Sequence, residues 1–78
     1  MMDASMITSD PAVMMGKPVV AGTRITVELL LEKLAAGEST EQIQRAYPHL
    51  PPGSVRAALM YAAAVVRNEV IVPLGRTA

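Results

Sequence analysis

The chain contains no cysteine, no phenylalanine and no tryptophan, and its aromatic content is two tyrosines beside a single histidine. Without cysteine there is neither a disulfide framework nor a thiolate metal site. With only 78 residues, little surface is buried on folding, and no large aromatic anchor adds to the thin core this implies. The N-terminal stretch lacks the basic segment and apolar run of a signal peptide. The longest apolar run, Ala57 to Val66, is ten residues, too short to span a bilayer. A cytoplasmic protein with no membrane association is expected, and the absence of cysteine fits a reducing compartment.

What is present is 51% hydrophobic, mainly Ala, Val, Leu and Met. That composition points to a helical domain that completes its core by self-association or by binding a partner.

Signs of catalytic chemistry are few. His49 has no acid near it in sequence, so it has no second ligand at metal spacing and no orienting carboxylate, and it is read as a turn residue. Gly16-Lys17 lacks the earlier glycine of a phosphate-binding loop, and Pro18 stands where Ser or Thr would hold magnesium. No nucleophile–base pair is visible. No enzyme, metal or cofactor is expected.

Net charge is zero, which removes the simplest argument for nucleic-acid binding. The charges are unevenly placed. Residues 1–41 carry Asp3, Asp10, Glu28, Glu32, Glu38 and Glu41 against Lys17, Arg24 and Lys33, a net of −3. Residues 42–68 carry Arg45, Arg56 and Arg67 and no acid, a net of +3. This second half is a modest basic surface, suited to a few phosphate or carboxylate contacts or simply to solvating helices.

The chain changes habit at Gly16-Lys17-Pro18-Val19-Val20-Ala21-Gly22-Thr23-Arg24-Ile25-Thr26. Val19-Val20 and Thr23-Arg24-Ile25 are short β-favouring runs, and Ala21-Gly22 fits the centre of a turn whose second residue needs positive φ. We read a hairpin that delivers the chain into a helix. Gly16, Pro18, Gly22 and Thr23 belong to its geometry. Lys17 and Arg24 either tie the loop to Asp10 or Glu28 or face a partner.

The whole chain, 1–78, reads as a single domain. It comprises a disordered start over 1–6, short strands and a turn over 7–25, a three-helix core over 26–69 and a tail over 70–78. Asp10 and Pro11 read as the entry to one helical turn closed by Gly16. Thr26 caps the first full helix, with Val27, Leu30, Leu31, Leu34 and Ala35 as its core stripe and Gly37 past its end. Ser39 and Gln42 form a capping box for a second helix, whose apolar face is Ile43, Ala46 and Tyr47 and which Pro48 stops. After His49-Leu50-Pro51-Pro52-Gly53, Ser54 is positioned to cap a third helix running to about Glu69. A short helix, a tight turn and a longer helix after another amphipathic helix outline a mainly α, three-helix helix-turn-helix domain with a small N-terminal β-hairpin.

On the third helix, Val55, Ala58, Leu59, Ala62, Val65 and Val66 share one face, which is assigned to the core. The other side presents Arg56, Met60, Ala63 or Ala64, and Arg67, with Tyr61 and Asn68 to one flank. For DNA, the candidates are Arg45, Ser54 and Arg56, but few base-reading residues stand near the start of this helix. An apolar stripe between arginines better suits a protein interface, so Arg56, Met60, Tyr61, Ala63, Ala64 and Arg67 are the candidate interface and a dimer is expected.

Four stretches carry a family resemblance. They are Ile7-Thr8-Ser9-Asp10-Pro11, the block from Gly16 to Ile25, Gly37 with Glu38-Ser39-Thr40 after it, and Tyr47-Pro48-His49-Leu50. Together they resemble domain-of-unknown-function family 433 (DUF433) from about Ile7 to Arg67. The resemblance implies a homeodomain-like helix-turn-helix fold. The family commonly stands beside a small PIN-like nuclease, which implies the antitoxin half of a toxin–antitoxin pair. Such nucleases hold metal with clustered acids, toward which Arg67 or Arg76 would reach. Pro51-Pro52-Gly53-Ser54 departs from the Thr/Ser-rich or acidic turn usual there, and the tail beyond Glu69 lies outside the shared region.

Overall fold

The computed structural model describes residues 6–69. The start over 1–5 and the tail over 70–78, Arg76 included, lie outside the described residues. In chain order the elements are β1 (Ile7–Thr8), a 3₁₀ turn (Met14–Gly16), β2 (Val19–Val20), α1 (Val27–Ala35), α2 (Thr40–Ala46) and α3 (Ser54–Glu69). The fold is mainly helical, with a small antiparallel sheet at its N-terminal end.

The Met6 carbonyl accepts from the Ala21 N–H at 2.7 Å. β1 and β2 pair antiparallel, with Ile7 opposite Val20 and Thr8 opposite Val19. On the other edge of β2 the expected hairpin forms. Gly22 has φ +81°, the Thr23 N–H donates to the Val20 carbonyl at 3.0 Å, and Val20 N–H to Ile25 and Val27 N–H to Pro18 close the ladder at 2.9 Å each.

Asp10 and Pro11 do not start a helix. The Asp10 carboxylate accepts the Ala12 N–H at 2.9 Å, and the Val13 N–H donates to the Asp10 carbonyl at 2.8 Å. A short acidic side chain that captures the backbone two residues on makes a turn rather than a helix cap. Beyond it Met14, Met15 and Gly16 take φ of 48°, 58° and 85°. Three successive left-handed residues reverse the chain into β2, and only the glycine does so without strain.

The helix boundaries follow local chemistry. The Thr26 hydroxyl accepts the Leu29 N–H at 2.9 Å. At the other end of α1 the Gly37 N–H donates to Leu34 and the Glu38 N–H to Lys33, which is the double bond of a Schellman cap made possible by the positive φ of Gly37. The capping box of α2 is complete: Ser39 Oγ accepts from Gln42 N at 3.1 Å, and Gln42 Oε1 accepts from Ser39 N at 2.7 Å. Ser54 does not cap α3. It is the first helical residue, and its hydroxyl donates to the Pro51 carbonyl at 2.6 Å.

The core gathers Ile7, Val20, Ile25, Val27, Leu30, Ile43, Leu50, Val55, Ala57 and Ala58, with Leu31, Leu34, Tyr47 and Tyr61 packed partly against it. Leu30, Ile43 and Val20 are its largest fully enclosed hydrophobic side chains. α3 packs on α1 and on β1.

The expected core faces hold only in part, because Ala35, Ala46, Leu59, Val65 and Val66 are exposed. At the end of α3, Val65 and Val66 line an open groove beside Pro18, Val27 and Leu31 rather than packing fully against them. No helix among the described residues is long and apolar enough to cross a membrane.

Candidate functional site

The Gly-Lys-Pro to Gly-Thr-Arg block fixes the approach to α1. Thr23 Oγ donates to the Val20 carbonyl at 2.8 Å and accepts the Ile25 N–H at 3.0 Å, so this hydroxyl is used up inside the hairpin. Lys17 Nζ reaches Glu28 Oε1 at 2.9 Å, with more than half of each side chain exposed. The hydrogen bond to Glu28 and that carboxylate's charge raise the lysine above its ordinary pKa, and Glu32 adds a smaller push in the same direction. Of the alternatives for Lys17, the tie to Glu28 is the one formed.

Arg24 makes no ion pair among the described residues. It stands between two concave surfaces. One is an open cavity of about 560 Å³ that also takes in Thr8, Asp10, Thr23 and His49. The other is lined by Met14, Lys17, Glu28 and Glu32. Asp10 and His49, far apart in sequence, are thus brought to one surface with Arg24. Among the described residues no three His, Asp or Glu side chains gather where they would hold a metal ion.

The three DNA candidates are not equivalent. Arg45, in the last turn of α2, and Arg56 are exposed, whereas Ser54 is wholly buried. With its hydroxyl committed to Pro51, Ser54 is off the surface where a nucleic acid would meet α3.

The candidate interface divides as well. Arg56, Ala63 and Arg67 are exposed, and Met60 and Ala64 are half-buried. Arg56, Met60, Ala63 and Arg67 recur at the spacing of one helix face, which is the outward stripe expected. Tyr61 does not flank that stripe: it turns inward, packing against the core and lining a groove shared with α1. The groove runs between Pro18, Val27, Glu28, Leu31 and Glu32 on one side and Tyr61, Ala62, Val65 and Val66 of α3 on the other. Sequence reasoning missed it by assigning Val65 and Val66 to the core. The available signal was the apolar run from Ala57 to Val66, which puts aliphatic side chains on more than one face of α3.

Residues 7–62 match the model of the family described as Protein of unknown function (DUF433), and the chain belongs to that family. A relative is the uncharacterized protein y4eO of Sinorhizobium fredii (strain NBRC 101917 / NGR234), 41% identical over 58 residues, which are 74% of this chain and 26% of that protein. The chain thus spans about a quarter of the length of that curated relative. No solved structure matches it.

Proposed function

We propose that this DUF433 member is a small binding protein of the cytoplasm and not an enzyme: the antitoxin of a toxin–antitoxin pair, which binds a PIN-like nuclease through the outward face of α3. The observation that carries this reading is that face itself. Arg56, Ala63 and Arg67 are exposed around a half-buried Met60. Small residues allow close approach, and arginines at the rim anchor an acidic partner. A nuclease that clusters carboxylates around its metal presents such an acidic surface. The order of α2, tight turn and α3 after α1 fits the helix-turn-helix reading, under which a dimer binds operator DNA through Arg45 and Arg56.

Co-expression with a PIN-like nuclease, taken from beside this chain's gene where one is encoded there, tests the proposal. The two are expected to co-purify, and Arg67→Glu is expected to weaken the complex without altering the helical content of this chain. Failure to co-purify, or a complex indifferent to Arg67→Glu, rejects it.

One observation favours a second reading, a protein–protein assembly module that binds no nucleic acid. Burial of Ser54 removes a polar residue from the start of α3, where base-reading side chains would stand.

A further inference from the structure

From the groove between α1 and the end of α3 we infer that a second copy of this chain is its occupant, the α3 helices of the two copies pairing about a two-fold axis. The inference deepens the dimer of the proposed function; it rests on the side of α3 that carries Leu59 and Val66, which adjoins the nuclease face and shares Arg56 and Arg67 with it, and it stands whether or not a nuclease is the partner.

The argument starts from an unfinished core. In α3, Val55 and Ala58 are enclosed, and the same apolar side of the helix continues through Ala62, Val65 and Val66. There, among the described residues, the opposite wall of the groove is Pro18, Val27, Glu28, Leu31 and Glu32. Val65 is 38% exposed, Val66 70% and Leu59 46%. In a chain of 78 residues whose core holds no aromatic larger than a partly buried tyrosine, three aliphatic side chains left in water are a substantial share of the hydrophobic surface available for burial.

The rim identifies the occupant. On the α1 side it carries Glu32 and also Glu28, the latter paired with Lys17, which leaves the rim net acidic. An occupant must therefore bring an aliphatic stripe with a basic flank. α3 has both: Leu59 and Val66 exposed, Arg56 and Arg67 beside them, and no acid between Ser54 and Asn68. Because α3 is at once a wall of the groove and the segment that fits it, a two-fold pairing satisfies both copies together, as an isologous interface requires. Ala62 at the centre lets the helices approach closely.

Light scattering on the full chain after size exclusion tests this. The wild type is expected at twice its 8.3 kDa mass. Val66→Glu, at an exposed position, is expected to weaken the dimer by roughly tenfold or more with unchanged helical circular dichroism. Glu32→Arg, a surface change on the acidic rim, is expected to weaken it too, whereas Met60→Lys on the outward face is expected to leave it intact. A wild type that stays monomeric as concentration rises would overturn the inference and leave the groove to another chain. So would a dimer that tolerates Val66→Glu, or one that Met60→Lys breaks as readily. Co-purification of the nuclease is read separately, so either idea can fail alone.

Discussion

Lys17 Nζ lies 2.9 Å from Glu28 Oε1, eleven residues further along, and the contact ties the Gly-Lys-Pro loop to the first turn of α1. The same acid sits where the helix dipole favours a negative charge. The lysine's pKa is raised in the folded state, first by its hydrogen bond to Glu28 and then by that group's charge. A raised basic pKa gives stability that is fully present below the unfolded value and is lost as pH rises through the folded one. The gap in denaturation midpoint between wild type and Lys17→Met is therefore expected to be small and constant around neutral pH. It should close only above the ordinary lysine value of 10.5, and should shrink with added salt. A gap that closes near pH 6 would assign the effect to another group.

Met15 predicts a gain. It holds φ 58° and ψ 31° with its side chain 92% exposed, so it bears left-handed strain of about 1–2 kcal/mol with little packing in return. Met15→Gly is expected to stabilise the protein by about 0.5–1 kcal/mol, after allowing for the greater freedom of glycine in the unfolded chain. Urea denaturation measures it, and a lowered midpoint would mean that the methionine makes contacts that outweigh its backbone strain.

Much of the fold was legible in the sequence because its boundaries are local. Thr26, Gly37 and the Ser39–Gln42 box each satisfy backbone groups within a few residues, and Ala21-Gly22 meets one turn's need for positive φ. Asp10 misled because the same side chain caps a helix or closes a turn, and Pro11 is compatible with both. Ser54 misled similarly, since a hydroxyl at a helix start either accepts from the helix or donates backward to Pro51. Val65 and Val66 failed for a different reason. Periodicity shows which residues share a face, but not whether protein lies opposite that face. The approach of Arg24 to Asp10 was among the ties open to that loop, whereas His49 joins them only through the tertiary fold and left no trace in sequence spacing.

Duplex binding separates the two functional readings. If the exposed Arg45, Arg56 and Arg67 of a dimer neutralise about four to six phosphates, log K should fall with log salt concentration at a slope of roughly −4 to −5. Ser54→Ala is expected to leave DNA affinity unchanged and to lower stability by about 1 kcal/mol through loss of its hydrogen bond to Pro51. Fluorescence anisotropy with an operator-region duplex reads the first, and absence of binding at about 50 mM salt favours the assembly module.

The most direct test is the mass of the complex formed when this chain is co-expressed with a PIN-like nuclease, measured by light scattering for wild type, Met60→Lys and Val66→Glu. A wild-type species holding two copies of this chain with nuclease bound is expected. Met60→Lys should release the nuclease and leave the dimer, and Val66→Glu should split the dimer and leave nuclease on each copy. A wild-type peak without nuclease, or two variants that behave alike, would contradict this expectation.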